Sequence, residues 1–209
     1  MQEHWNHNNH FHSHLLRQID RPMKIGLDIG CGSGSFTRKL SAYCEEVIGI
    51  DSDRHAIEKA KKGTNLARNV RFVHRDFGEM DIAPHSIDLI SMIASIHHME
   101  LSTSLQKIQQ LLRPGGLLLV LGLYREVSFM DLVYSCFSLP IDVVCKFLKN
   151  GQLSSPMPYD MKMTSPALSF SDQQQLFQSI LPTSRVQRHL LWRYSAIWRK
   201  GEPEFEELL

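Results

Sequence analysis

Leu27-Asp28-Ile29-Gly30-Cys31-Gly32-Ser33-Gly34-Ser35-Phe36-Thr37, followed by Val47-Ile48-Gly49-Ile50-Asp51, is the stretch that decides the fold of this chain. A short apolar strand enters a glycine turn, and a second short strand ends in an acid. A doubly wound α/β sheet builds a pocket for a nucleoside-bearing cofactor in this way. Glycine at positions 30, 32 and 34 lets the backbone turn tightly and approach a ligand, because no Cβ stands between the peptide and the cofactor. Cys31 fills a place in the turn that requires a small residue. Asp51 fits as the acceptor for two ribose hydroxyls, with Ser52 beside it. The spacing selects among cofactors. A dinucleotide site needs Gly-x-Gly-x-x-Gly, with its third glycine at position 35, which here is Ser35. No Lys-Ser/Thr pair follows the loop, which excludes a triphosphate-binding loop. Asp28, two residues before the first glycine, suits an ammonium group, met directly or through water. A cofactor with an amino-acid end and no pyrophosphate fits these residues best.

Downstream, Arg75-Asp76-Phe77, the run Asp88-Leu89-Ile90-Ser91-Met92-Ile93-Ala94-Ser95-Ile96-His97-His98, and Leu111-Leu112-Arg113-Pro114-Gly115-Gly116-Leu117-Leu118-Leu119-Val120 follow in order. With the glycine turn, these four stretches, over roughly residues 24 to 122, resemble the motifs of the class I S-adenosylmethionine-dependent methyltransferases in their small-molecule, type 11/12-like branch. The resemblance implies S-adenosylmethionine as cofactor. It implies cofactor contacts from Asp28, Gly30, Cys31, Gly32, Gly34, Asp51, Ser52, Asp76, Phe77, Met92 and Ile93, with Asp76 receiving the adenine amino group and Phe77 packing near the ring. It implies a Rossmann-like doubly wound α/β sheet of seven strands, mostly parallel with an antiparallel last strand, and a helical insertion after strand five.

Size and composition fit such a domain. The 209 residues are 43% hydrophobic and 22% charged, ordinary for a folded soluble chain, and the formal net charge of +1 gives no field that implies a nucleic-acid partner. Arg185, Arg188, Arg193 and Arg199 occupy alternating or edge positions rather than a basic stripe, which disfavours RNA. Residues 1 to 20 are polar rather than basic and then apolar, so no signal peptide is expected, and no uncharged apolar run reaches the ~18 residues of a membrane span. Cys31, Cys44, Cys136 and Cys145 match neither a zinc pattern nor a disulfide framework, as expected of reduced cysteines in a cytoplasmic protein.

Periodicity places strands at 24–29, 47–50, 70–74, 87–94 and 117–121, with helices at 33–43, 53–62 and 102–112 between them and Pro114-Gly115-Gly116 ending the last helix. This alternation predicts a parallel sheet with right-handed crossovers. After Leu123 the rhythm breaks. Residues 126–149 read as a helix interrupted by Pro140, 154–169 as an extended loop, 171–180 as a final crossover helix, and 185–190 and 194–199 as two last strands. The expected organisation is an N-terminal His/Asn-rich lid over 1–20, a methyltransferase domain over 21–200 with the insertion at 126–169, and an acidic tail over 201–209.

Ligands in such sheets bind beyond the carboxyl ends of the strands, so residues just after each strand carry the chemistry. Methyl transfer chiefly requires positioning, exclusion of water and, where needed, removal of a proton. His97 and His98, after strand four, are the catalytic candidates. Each reads either as a loop-orienting or packing residue or as a general base, and His98→Gln tests the second reading. In the N-terminal segment, His4, Trp5, His7, His10, Phe11, His12 and His14 read as a solvated segment or as a metal site in which His7, His10 and His14 share a helix face, while the resemblance implies a lid over the cofactor pocket whose aromatic and imidazole groups line the acceptor site. No Cys or well-spaced carboxylate accompanies them, so no metal is assigned. The apolar insertion reads as core, as the wall of an apolar acceptor site or as a contact with a membrane surface, and Asp131, Asp142 and Lys146 speak against its crossing a bilayer. The end of strand four lacks an Asn/Asp-Pro-Pro-Tyr/Phe sequence, which disfavours DNA-adenine and glutamine methylation. A small-molecule acceptor follows. Two other classes remain: a cofactor-binding regulatory or scaffold protein without turnover, and a nicotinamide oxidoreductase, against which the early third glycine and the missing Tyr-x-x-x-Lys speak.

Overall fold

Seven strands form one sheet in the computed structural model, which describes residues 5–63, 67–150 and 166–201. They are β1 (Met23–Ile29), β2 (Cys44–Asp51), β3 (Val70–His74), β4 (Ile87–Ile93), β5 (Leu112–Gly122), β6 (Arg185–Arg188) and β7 (Tyr194–Arg199). Their spatial order is β3-β2-β1-β4-β5-β7-β6. The first five pair in parallel, and β7 runs antiparallel to both β5 and β6. Strand order reverses between β1 and β4, the switch point at which a doubly wound sheet opens a crevice for a ligand.

Two short helices, α1 (His7–His10) and α2 (His12–Leu16), precede the sheet; α3 (Ser35–Leu40), α4 (Arg54–Lys62), α5 (Leu101–Leu111) and α7 (Phe170–Ile180) pack on it; α6 (Phe129–Asn150) follows β5. Alternation along the buried strands divides the core in two. Leu117, Leu119 and Leu121 of β5 face Leu15, Phe36, Leu40 and Ile57 on one side. Leu118 and Val120 face Leu105, Ile108, Phe177 and Trp198 on the other. Each such side chain contributes about 1.5–3 kcal/mol by leaving water, so truncating any one of them to alanine costs roughly 2–5 kcal/mol. Asp53 caps α4 by accepting from the His55 N–H at 2.8 Å, and Ser169 with Asp172 forms a capping box at α7.

Two expectations need correction. β5 begins at Leu112 rather than Leu117, because the Pro114-Gly115-Gly116 corner lies within the strand. Pairing jumps there from Ile87 opposite Leu112 to Leu89 opposite Leu117. The corner is closed by the chain end: Gly115 N–H donates to the Lys200 carbonyl at 2.8 Å and Lys200 N–H to that of Gly116 at 2.9 Å. Nor does Pro140 interrupt α6, which runs unbroken for 22 residues. Pro140 is exposed, and buried anchors flank it: Asp131 pairs with Arg188 on one side, and Asp142 with His7 and Lys146 on the other. These contacts offset the hydrogen bond that proline removes. The expected loop at 154–169 lies outside the described residues up to 165, as does the acidic tail beyond Gly201. Among the described residues, no helix is long and apolar enough to cross a membrane.

Candidate functional site

The site begins where β1 ends. Gly30 has φ +68°, and a Cβ there would stand 2.3 Å from that of Ser95, whose hydroxyl donates to the Ile29 carbonyl at 2.7 Å. The loops after β1 and β4 therefore touch, which only glycine at position 30 permits. Gly32, at φ +53°, differs: nothing lies within 4 Å of where its Cβ would be, so this part of the turn faces open space. The Gly32 N–H donates to Asp51 Oδ2 at 2.8 Å, and the Asp53 N–H donates to Oδ1 at 2.9 Å. A carboxylate at the end of β2 is thus held against a glycine turn with an uncovered backbone. Cys31 donates its N–H to the Ile50 carbonyl at 2.9 Å, and burial raises its thiol pKa well above the ordinary range. It is a neutral spacer.

Asp28 lies beneath the turn, 1% exposed. It accepts hydroxyl hydrogen bonds from Thr37 and Ser91, both at 2.6 Å. Burial, opposed by these two bonds and reinforced by the Asp51 charge, pushes its carboxyl up to about 6. Because each oxygen already accepts a hydroxyl, an ammonium group meets Asp28 through a remaining lone pair or a water. Asp76 is exposed at the end of β3 and accepts the Gly78 N–H at 2.7 Å. Its neighbour Phe77 turns into the core, 3% exposed, with the Lys107 ammonium 4.9 Å from its ring centroid. Met92 is fully buried in the same core, whereas Ile93 is half-buried on the other face. Ser52 is exposed, and its carbonyl lies 3.0 Å from His74 Nε2. The strand ends therefore bring Asp28, Gly30 to Gly34 and Asp51 together with Ser95, while Phe77 and Met92 support them from the core.

The other end of the strand edge is assembled from distant segments. His97 and His98 lie in a 3-10 turn, Ile96–His98, with ring centroids 4.1 Å apart. His98 is exposed. His97 is half-buried; its Nδ1 is buried without a partner among the described residues, and burial, then His98 and Arg193, push its pKa down to about 4. Tyr124, after β5, is 4% exposed, its hydroxyl has no hydrogen-bond partner among the described residues, and burial pushes its pKa up to about 12. The Arg188 guanidinium pairs with Asp131 at 2.9 Å and lies over the rings of Tyr124, Tyr134 and Phe170.

The turn between β6 and β7 places Leu191 and Trp192 at φ +60° and +57°. Both are non-glycine residues in the left-handed region, at about 1–2 kcal/mol each. Contacts to α6 hold them: Leu191 N–H donates to Ser138 Oγ and Trp192 Nε1 to Ser135 Oγ, both at 2.8 Å. The N-terminal segment closes the arrangement. His7 Nε2 lies 2.7 Å from Asp142, Asn8 Oδ1 accepts from Arg193 Nε at 2.8 Å, and His14 packs on His189. His12 packs on Phe36 of α3, and Lys39 Nζ lies 2.8 Å from its Nδ1. Residues 5–16 thus bridge the glycine-turn helix to α6 and the β6–β7 turn. The three histidines weighed as metal ligands do not converge: the chain turns at Phe11, His7 meets Asp142, His10 meets Trp5, and His14 meets His189. Among the described residues, no group of three or more His, Cys, Asp or Glu side chains could hold a metal ion. His4 lies outside the described residues.

Sequence reasoning missed the partners of Asp28, as well as Asn8, Asp142 and Arg193. Ser91 is signalled only by strand register, in which it stands opposite Asp28. Arg193 read as an edge residue, because nothing in Leu190-Leu191-Trp192-Arg193 announces a left-handed turn.

A family model described as a methyltransferase domain matches residues 27–120. The chain is 32% identical over 123 residues to a sterol 24-C-methyltransferase of Candida albicans, a match covering 56% of this chain and 31% of that protein. It therefore spans about a third of that relative's length. An uncharacterized methyltransferase of Mycobacterium tuberculosis is 23% identical over 201 residues, covering 95% of this chain and 98% of the relative. In structure, the N-methyltransferase NodS of Bradyrhizobium japonicum, solved with S-adenosyl-L-homocysteine, superposes with a TM-score of 0.61 at 19% identity, covering 93% of this chain and 87% of NodS. A protein of Pyrococcus horikoshii gives 0.62 at 18% identity, covering 91% and 88%. These structural likenesses concern the fold.

Proposed function

We propose that this chain, whose residues 27–120 match a methyltransferase-domain family model, transfers a methyl group from S-adenosylmethionine to a small-molecule acceptor held between the end of β4, α6 and the β6–β7 turn. The observation that carries this reading is the open backbone of Gly32 beside the Asp51 carboxylate. A Cβ there would occupy the space a nucleoside needs, and the acid beside it offers acceptor oxygens for ribose hydroxyls.

When bound, the cofactor supplies a methyl group already activated by a sulfonium. The protein then has to position and shield the acceptor and take up a proton where the acceptor carries one. His97 suits the proton-holding role better than His98, since its ring is half-buried, neutral at pH 7, and has an Nδ1 without a partner among the described residues. Residues 5–16 act as the cover that excludes water. The acceptor does not carry over from the sterol methyltransferases. The family match ends at Val120, before α6 and the β6–β7 turn, and begins after the cover.

Calorimetry tests the donor half: S-adenosylhomocysteine should bind with micromolar or better affinity and NAD should not, and absence of S-adenosylhomocysteine binding overturns the reading. Turnover across a metabolite panel then separates an enzyme from a cofactor-binding regulator. Formation of S-adenosylhomocysteine with none of the panel, despite tight cofactor binding, favours the regulator.

A further inference from the structure

Arg193 is the charged group that the proposed transfer leaves unexplained. Its side chain is 9% exposed. Its Nε donates to Asn8 Oδ1 at 2.8 Å, and its Nη1 makes long contacts to the carbonyls of Leu191 and Trp192, at 3.4 and 3.3 Å. All three acceptors are neutral, and Nη2 makes no hydrogen bond among the described residues. Three other guanidiniums that tie the fold together do have acids: Arg188 has Asp131, Arg113 has Asp88 and Arg199 has Asp20. The acid on the neighbouring stretch of α6, Asp142, is occupied by His7 and Lys146. A cation withdrawn from water costs several kcal/mol unless a counter-charge meets it, and none does among the described residues; that cost adds to a turn that holds two consecutive non-glycine residues in the left-handed region.

Position gives this cost a use. Arg193 immediately precedes Tyr194, which stands opposite Gly122 at the carboxyl end of β5. It therefore lies on the acceptor side of the sheet edge. Its Nε reaches Asn8 of α1, so it stands where the cover and the β6–β7 turn meet, and its charge helps to lower the pKa of His97 at the end of β4. Burial pulls its own pKa down to about 10, with no carboxylate opposing that shift, so it remains a cation at neutral pH.

We propose that Arg193 is the acceptor-recognition residue of this site and that the methyl acceptor carries a carboxylate, which supplies the counter-charge that the described residues do not. The proposal rests on the methyltransferase reading above and adds the chemical class of the acceptor. A guanidinium offers paired N–H donors to a carboxylate, and in a site shielded from water such a bond is about twice as strong as a neutral one. Arg193 thus selects acids over their neutral analogues, and the strained turn with its anchors on α6 and α1 fixes the guanidinium before the acceptor arrives.

The experiment uses the full chain saturated with S-adenosylhomocysteine and titrates benzoate and octanoate against benzamide and octanamide by calorimetry. At least one acid should bind at least tenfold more tightly than its amide. Arg193→Gln should abolish that preference while keeping S-adenosylhomocysteine affinity within about twofold, and Arg193→Lys should retain part of it. Equal binding of acid and amide, no binding of either, or an acid preference that survives Arg193→Gln overturns the proposal. Should Arg193→Gln fail to fold, the acid-to-amide ratio of the unaltered protein decides alone. The same titrations without S-adenosylhomocysteine separate the two readings. If the cofactor product does not bind, the methyltransferase reading fails, while carboxylate binding is still measured on its own.

Discussion

The two ends of this sheet edge are built in opposite ways. Where β1 and β2 end, the site is made by backbone: a turn of alternating glycines, an uncovered peptide at Gly32, and Asp51 donated to by an N–H 19 residues away. Where β4 and β5 end and β7 begins, it is made by side chains gathered from afar. Asn8 meets Arg193 across 185 residues and His7 meets Asp142 across 135. A local backbone device can bind one cofactor in many proteins, because it depends on little else. A device made of remote side chains can change its acceptor without disturbing the turn. The family match, which covers residues 27–120 and stops short of α6, follows that division.

The sharpest way to break the comparison is at Gly30. Gly30→Val forces a β-branched residue to φ +68° and drives its Cβ to 2.3 Å from Ser95. Left-handed strain of about 1–2 kcal/mol and overpacking of about 1–3 kcal/mol should add to roughly 2–5 kcal/mol of lost stability in denaturant unfolding. Gly32→Ala meets open space, so it should unfold within about 1–2 kcal/mol of the unaltered protein and yet bind S-adenosylhomocysteine at least tenfold more weakly. Unchanged affinity in Gly32→Ala would remove the open turn from the cofactor site.

Next in size is the buried acid. Asp28 titrates near 6 when folded against 3.8 as a free carboxyl. Because the folded value is raised, its contribution to stability is full below about 3.8 and is lost as pH rises through 6. The loss amounts to roughly 3 kcal/mol for a shift of about two units. His97 and His189 run the other way. Their pKa values fall to about 4 from 6.5, so the stability they supply above 6.5 is lost as pH falls toward 4. In the unaltered protein the two trends oppose each other between pH 4 and 6. Asp28→Asn removes the first, so its unfolding free energy should climb steadily from pH 4 to 6.5, and its stability at pH 7 should exceed that of the unaltered protein. A flat profile in Asp28→Asn would show that the histidines do not charge on unfolding.

How far these features could be read in advance follows from the same division. The glycine turn, the acid after β2 and the crossovers were legible because their signals are contiguous and their causes local. The partners of Asp28 were not, since Ser91 faces it through strand register and Thr37 through the return of α3 over the turn. Pro140 misled because its effect was judged from α6 alone, while anchors on both sides come from Arg188 and His7. Arg193 was invisible for a related reason: Leu191 and Trp192 take a conformation their own preferences oppose, imposed by Ser138 and Ser135 on α6.

Asp51 tests the backbone half with a smaller effect. The Gly32 and Asp53 N–H groups hold its carboxylate in place for the ribose hydroxyls of the proposed cofactor, and a charge-assisted bond to such a hydroxyl is worth about 1.5–3 kcal/mol. Asp51→Ala should therefore weaken S-adenosylhomocysteine binding by roughly 10- to 150-fold in calorimetry. Any acid preference read at Arg193 in the absence of cofactor should stay unchanged, because no contact of Arg193 passes through β2. Loss of both together would mean that the two ends fold as one cooperative unit.

The smallest expected effect probes the remote half. Burial lowers the pKa of His7 although Asp142 opposes the shift, so at pH 7 the ring is neutral and its Nε2 donates to a carboxylate that Lys146 also holds. Asp142→Asn keeps the shape but replaces a charged acceptor with a neutral one, and should loosen the docking of residues 5–16 on α6 by about 0.5–1.5 kcal/mol. The loss is local, because Leu15 and Ile19 remain anchored in the core beside Met23 and Phe36. Amide exchange should therefore quicken by roughly 2- to 13-fold in α1 and stay unchanged in β1 and α3, with S-adenosylhomocysteine affinity within about twofold. Equal quickening in α3 would mean that the cover and the glycine turn share one opening motion, and that the acceptor end cannot vary without cost to the cofactor end.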